Sequence, residues 1–325
     1  MKRVLILGIG GQDGSYLADV LLEKDYEVHG LYRRSSVNNL QRIEHIKDQI
    51  ILHEGDLSEF STILNAIITS KPDEIYNEAD QDNVGSSFAT PGYSYDITGA
   101  GVGRVLQACH LYNLHSKKVK LFQPVSATMF GDSPSPQNEQ TPFNPQSPYA
   151  CAKVFAYYLC RYYRETHNLF VSTGIMFNHD SPRREGNYLL QTICKQAQNV
   201  ARGKQDAIVL NNLDLEVDIG YAKEYMNTAY QIMQLDASDD FVIGTGVGCS
   251  VHKLAYTALR QLNVAERTNK VQQREGTLKG RPEKQSALIA DTSKLQSIIS
   301  PTEIPKCHGP ALMNIITSAS VHGEN

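Results

Sequence analysis

Two periods of hydrophobic and polar positions alternate along the first half of the chain. The runs "RVLILGI", "EVHGLYR", "IILHEGDL", "DEIYNEA" and "VKLFQPVSA" are short and lean apolar, as strands of a buried parallel sheet do. Longer stretches between them carry apolar residues at helical spacing. "SYLADVLLEKDY" puts Leu17, Val20, Leu21 and Leu22 on one face, and "STILNAIITSKP" is helical up to its proline. "ITGAGVGRVLQACHLYN" reads as a long helix despite its glycines, and "SPYACAKVFAYYLCRYYRETHN" as another. This alternation predicts an α/β fold, a Rossmann-type doubly wound parallel sheet.

Past about residue 180 the pattern loosens, and "SPRREGNYLLQTICKQAQNVARGK" reads as a loop and a helix. No linker, repeat or low-complexity tract separates the halves. The expected division is 1–180 as a dinucleotide-binding Rossmann domain and 181–325 as a smaller C-terminal substrate-binding α/β cap, partly interleaved with it. The polar tail "SASVHGEN" is expected to fray.

Composition narrows the function classes. The 325 residues are 41% hydrophobic and 20% charged, the mix of a soluble globular protein. A formal net charge of -4 gives no electrostatic reason to expect nucleic acid or an anionic membrane as partner. Six scattered cysteines form no C-x-x-C pair, which suggests reduced thiols in the cytoplasm. The opening "MKRVLILGIGGQDG" stops being apolar too soon for a signal or membrane segment and fits a buried strand. His110 and His115 are off a common helix face, so no metal site is expected, and "GDSPS" around Ser133 lacks the second glycine of a hydrolase nucleophile elbow.

Chemistry enters with "GIGGQDG", where Gly8, Gly11 and Gly14 stand between a strand and a helix. Glycines there let the backbone approach a pyrophosphate, and the helix start offers free N–H groups. The second strand ends in "LYRRSS". Arg33, Arg34, Ser35 and Ser36 suit a 2′-phosphate, whereas an NAD ribose usually meets an acid at this place, so NADP is expected over NAD. Asp56, in "GDL", can hold the adenine end by a hydrogen bond. "SPYACAK" sets Tyr149 and Lys153 four apart on one helix face. A phenol is a weak base at neutral pH, and a nearby ammonium and a cationic nicotinamide favour its ionised form. Ser126 can hold a substrate oxygen beside it.

With these pieces in place, the sequence resembles the extended short-chain dehydrogenase/reductase family, and within it the GDP-mannose 4,6-dehydratases. The matching runs are "GIGGQDGSYLADVLLEKDYEVHGLYRRSS", "RIEHI", "GDL", "FNPQSPYACAK", "FNHDSPRR", "YAKEYM" and "GRPEK", spread over most of the chain. The resemblance implies catalysis by Ser126, Tyr149 and Lys153. It implies NADP contacts from Gly8, Gly11, Gln12, Asp13, Gly14, Arg33 to Ser36, Asp56, Leu57, Gln81, Tyr93, Tyr149, Lys153, His179 and Arg184. Ser126, Thr128, Asn178 and Arg281 would lie toward a nucleotide-linked sugar, with GDP as its nucleotide. A homodimer or homotetramer is also implied, with the Arg33–Ser36 loop near a neighbouring subunit.

Departures from the family pattern are equally informative. The dehydratases carry Thr, Ser, Glu at the strand end that here reads Ser126, Ala127, Thr128. In the family, C4 oxidation acidifies the C5 proton, which the carboxylate removes while water leaves from C6. A threonine hydroxyl is too weak a base for that step, and its presence should slow elimination by roughly 10²–10⁴-fold. A C4 dehydrogenase, reductase or epimerase is therefore the leading expectation. A true dehydratase with a relocated acid/base is the first alternative, and a non-catalytic cofactor-binding member the second. "NEADQDNV" adds Glu78, Asp80 and Asp82, of which Asp82 is a candidate displaced base, the alternative being a solvated or arginine-paired acid. Val217, Gln191 and Thr192 replace basic residues of the family pattern, which leaves the identity of the nucleotide open.

Overall fold

The computed structural model describes residues 1–264, 267–274 and 287–322; Arg281 and the "GRPEK" run lie outside them. Its strands are β1 (Arg3–Leu7), β2 (Glu27–Tyr32), β3 (Ile51–Glu54), β4 (Glu74–Asn77), β5 (Lys120–Ser126), β6 (Val171–Met176), β7 (Asn178–Asp180), β8 (Ile208–Leu210), β9 (Glu216–Tyr221), β10 (Asp240–Ile243), β11 (Gly248–Ser250) and β12 (Val271–Gln273). Among the described residues, seven form one parallel sheet in the order β10-β6-β5-β4-β1-β2-β3. The Rossmann-type α/β expectation is met.

Period-two alternation divides the inner strands of this sheet between two buried faces. Val4 and Ile6 point to a core built with the helices Gln12–Leu22 and Ala222–Met233. Leu5 and Leu7 point to the opposite core, built with Phe60–Ser70, Gly101–His115 and Pro148–His167. Each fully buried Leu or Ile contributes roughly 2 kcal/mol to this two-sided packing. The glycines inside "ITGAGVGRVLQACHLYN" have a packing reason. A Cβ at Gly99 or Gly103 would stand 3.1 or 3.3 Å from the side chains of Phe155 and Leu159, so glycine lets the two helices approach closely.

Past β6 the chain builds a second layer: a three-stranded sheet, β11-β9-β7, and the pair β12-β8. A third core forms between them and the helices Leu189–Ala201, Val251–Gln261 and Gly309–His322. The two halves exchange material, since β10 comes from the second half and extends the first sheet. Of "SASVHGEN", residues 318–322 depart from the expectation of fraying, because the last helix continues through His322, and residues 323–325 lie outside the described ones. Leu312, Met313 and Ile316 bury its inner face, and the Thr317 and Ser320 hydroxyls donate back to the carbonyls of Met313 and Ile316 at 2.8 and 2.9 Å.

Asp218 on β9 ties the layers together. Its fully buried carboxylate accepts from the backbone N–H groups of Thr245, Gly246 and Ala290 at 3.1, 2.8 and 3.1 Å, and from the Thr245 hydroxyl. Removing it would leave three N–H groups without this partner, the one on Ala290 buried. Asp218→Ala is expected to cost about 3 kcal/mol of unfolding free energy in a denaturant titration; stability unchanged within error would contradict this account of the junction.

Candidate active site

The chain runs β1-β2-β3 outward in one direction, then returns to place β4 on the other side of β1. At that reversal a crevice opens beyond the carboxyl ends of the strands, the usual ligand position in such sheets. Leu7 pairs with Asn77 there, so Gly8 and Glu78 leave the sheet side by side. Gly8 has φ +78°, and a Cβ on it would lie 2.7 Å from the Ala79 backbone. The helix that follows begins at Gln12 with no side-chain cap on Gly11, so its first N–H groups are left to face the crevice.

Two clefts meet at Gly11, Glu78 and Asp80. The smaller, about 330 Å³, is bounded by Gly8, Arg33, Asp56, Leu57 and Tyr93. The larger, about 910 Å³, is bounded by Ser126, Tyr149, Lys153, Asn178, His179 and Arg184. Arg33 donates to the Tyr93 hydroxyl at 2.8 Å, and Arg34, Ser35 and Ser36 are exposed on the same loop. Asp56 accepts from the Ser58 backbone and hydroxyl at 2.8 Å each. Gln12 is buried and links Asp13 to Ser181. Gln81 turns into its own loop, donating to the Asn83 carbonyl at 3.1 Å and accepting from Ser94. Arg184 Nε is buried without a partner among the described residues. The open helix start, the glycine-only approach at Gly8 and this orphaned donor fit the phosphates of a dinucleotide.

Ser147 caps the helix Pro148–His167 by accepting from the Ala150 N–H, and Pro148 occupies its first turn. Tyr149 and Lys153 then share the face toward the cleft, with Lys153 Nζ 5.6 Å from the phenol ring centre. Ser126 ends β5 beside the phenol and helps stabilise its ionised form. Thr128 also lines the cleft, but its hydroxyl is spent on Ser126 Oγ at 2.9 Å. Asn178 is exposed in the same wall, its carbonyl accepting from the Tyr225 hydroxyl at 3.2 Å.

The acids of "NEADQDNV" sit inside this assembly, and their partners were not legible beforehand. Asp80 pairs with Lys153 at 2.8 Å, while the same ammonium donates to the Pro124 carbonyl at 3.0 Å. Asp82 pairs with Arg184 at 3.0 Å and accepts from the Tyr188 hydroxyl at 2.7 Å, and the guanidinium stacks on the Tyr188 ring. The arginine-paired form of Asp82, held open as an alternative, is therefore the observed one. Of the positions flagged as altered, Thr192 lines the cleft, Val217 is buried on β9, and Gln191 is engaged by Asp180 and Ser181.

Proton affinities divide sharply across the site. Burial resists ionisation of Asp13, but the charge and hydrogen bond of His179 at 3.0 Å, with Arg184, hold the carboxyl down at about 2. Burial likewise pulls His179 down, and the Asp13 carboxylate outweighs it, raising the imidazole above its ordinary value. Glu78 moves the other way. Burial, then the charges of Asp13 and Asp80, push it up to about 8 against the pull of Lys153. Its Oε1 has no partner among the described residues.

A carboxyl that ionises near 4.5 when unfolded and near 8 when folded lets the unfolded chain lose its proton first. Stability therefore falls as pH rises through that window and levels off above it. Glu78→Gln is expected to leave the melting temperature unchanged at pH about 4 and to raise it increasingly up to pH about 8. A difference independent of pH would show that Glu78 keeps an ordinary proton affinity.

Comparison with known proteins agrees with this architecture. A family model described as GDP-mannose 4,6 dehydratase matches residues 5–300. A GDP-mannose 4,6-dehydratase of Vibrio cholerae is 40% identical over 271 residues, 81% of this chain and 73% of the relative. GDP-mannose 4,6 dehydratase 1 of Arabidopsis thaliana is 42% identical over 253 residues, 75% and 70% of the two chains. Among solved structures, UDP-glucose 4-epimerase of Thermus thermophilus, in complex with NAD, superposes with a TM-score of 0.82 at 19% identity over 98% of both chains. RMD of Pseudomonas aeruginosa, complexed with NADPH, superposes with a TM-score of 0.79 at 17% identity over 98% and 99%. At those identities the structures speak for the fold alone. The chain belongs to the GDP-mannose 4,6-dehydratase family.

Proposed function

We propose that the chain is an NADP-dependent enzyme of the nucleotide-sugar 4,6-dehydratase and epimerase type, acting at C4 of a GDP-linked hexose. The observation that carries this reading is the convergence of Ser126, Tyr149 and Lys153 on one wall of the larger cleft, beside the phosphate cradle. A bound nicotinamide supplies hydride exchange at C4. Ser126 positions the sugar oxygen, Tyr149 exchanges its proton with it, and Lys153 bears on the charge of the phenol. NADP over NAD is supported by Arg33 and Arg34 with Ser35 and Ser36, a run without a carboxylate at the exposed end of β2.

The names of the relatives favour elimination of water after C4 oxidation, with acid/base work drawn from a residue other than Thr128. A second reading, a C4 dehydrogenase, reductase or epimerase, is favoured by Thr128 itself, whose hydroxyl is neutral and bonded to Ser126. The assembled trio opposes a purely cofactor-binding role. Six cysteines held as thiols fit a reducing compartment such as the cytoplasm, and no helix among the described residues is long and apolar enough to cross a membrane.

Mass spectrometry after incubation with GDP-mannose and NADP separates these readings. The dehydratase reading expects a product lighter by one water. An isomer, or a change of two mass units, selects the second reading. Cofactor retained with no product from any nucleotide sugar sinks both. In the same assay NADP is expected to outperform NAD, and Arg33→Ala to narrow the gap; equal use of the two cofactors would contradict the NADP assignment.

Oligomerisation is supported by Phe155, Tyr158 and Tyr162, exposed at one helical face of Pro148–His167. Sedimentation is expected to give two or four times the 36.1 kDa of one chain, and a monomer at micromolar concentration would remove this proposal.

A further inference from the structure

Charged groups from every surrounding element face Tyr149. Its own helix brings Lys153, the segment after β4 brings Asp80 and Asp82, and the segment after β7 brings Arg184. Ser126 lies beside it from β5, and Asp13, Glu78 and His179 line the same cleft. In this set the two cations are already taken. Lys153 Nζ is 2.8 Å from Asp80, and Arg184 Nη1 is 3.0 Å from Asp82. Lys153 is also largely buried, and its remaining hydrogen bond to the Pro124 carbonyl fixes where the ammonium points.

An ammonium with a carboxylate against it exerts little net field on a third group. The stabilisation of a phenolate for which the Tyr-x-x-x-Lys spacing is suited is then largely cancelled. We infer that Asp80 is a positioning residue which, by neutralising Lys153 and with help from Asp82, leaves Tyr149 a proton donor in this site. This inference rests on the second reading of the proposed C4 chemistry, the one without elimination, and assigns its working polarity. In ketone reduction, C4 gains a hydride from the reduced dinucleotide and the carbonyl oxygen gains the Tyr149 proton. The C=O bond becomes C–OH, the dinucleotide is oxidised, and the phenolate is reprotonated from solvent. The reverse reaction needs the phenol ionised before it can accept the alcohol proton. Oxidation of a C4 alcohol should therefore climb with pH into the alkaline range, while reduction holds a plateau through neutral pH.

The direction of the shift agrees with this geometry. Burial, followed by the charges of Asp80 and Asp82, drives Tyr149 well above its ordinary value, and Ser126 and Arg184 only partly oppose them. The strand end is consistent too, since ketone reduction asks nothing of the position where Thr128 stands.

The test is an ultraviolet tyrosinate titration of the full chain, read as the difference from Tyr149→Phe, with and without bound NADP. In the unliganded wild-type chain Tyr149 is expected to titrate above the ordinary phenol value of about 10. Asp80→Asn should lower that inflection by at least about one unit, a tenfold change in proton affinity. Asp82→Asn, a second route should the first variant misfold, should lower it by less. Where the enzyme turns over, the inflections of the oxidation and reduction profiles should move with the titration. A Tyr149 inflection near neutral pH in the unliganded wild type, or one unmoved in both variants, overturns the inference. Because the titration needs no substrate, failure to process any nucleotide sugar would count against the proposed function separately.

Discussion

The return of β4 to the inner side of β1, where the chain could have continued outward past β3, is the constraint on which the site depends. That reversal parts the loops at the strand ends and opens the crevice. It makes Leu7 and Asn77 neighbours, so whatever follows each strand must share a small volume. After β1 comes a glycine with positive φ that no side chain could replace without meeting the Ala79 backbone. After β4 come three carboxylates. A phosphate cradle and a run of acids are thus pressed together, and two cations nearby, the buried Lys153 and the half-buried Arg184, are the means of reconciling them.

That reconciliation has a cost in stability. Asp80 and Asp82 are paired, and Asp13 is held by His179. Glu78 is left with an unpartnered buried oxygen and keeps its proton at neutral pH. Proteins usually remove such groups from their interiors, and those that persist concentrate at functional sites. Here the pairing of cations by acids also bears on function. The same ammonium cannot fully stabilise a phenolate on one side while neutralising a carboxylate on the other.

Much of the fold was legible in the sequence. Apolar-rich runs such as "RVLIL" exist because strands buried on both faces favour apolar side chains, polar ones such as Glu74 and Gln123 being buried only with hydrogen-bond partners, and the following helices show their buried stripe. The glycine cradle and the Tyr149–Lys153 spacing were legible for a similar reason, as local geometry expressed in local sequence. The helices Val84–Ala89 and Pro91–Ser94 were not, since they are too short to display a period. Nor could the last helix be read into residues 318–322, a short string with two serines and a histidine in which the Ser320 hydroxyl donates back to the Ile316 carbonyl. At the site, the acids themselves stood out, yet their partners lie 73 and 102 residues away. Lys153 and Arg184 reach them only through the tertiary fold, which no local pattern records.

The central claim is that Tyr149 shares a cleft with a nicotinamide and the C4 position of a nucleotide-linked sugar. Deuterium carried on the hydride position of NADPH, followed by nuclear magnetic resonance of the sugar, tests it most directly. The account predicts label at C4 of the alcohol formed from a nucleotide-linked 4-keto sugar with the wild-type chain, and its loss with Tyr149→Phe. Label absent from every nucleotide sugar offered, or appearing equally without the phenol, would contradict it.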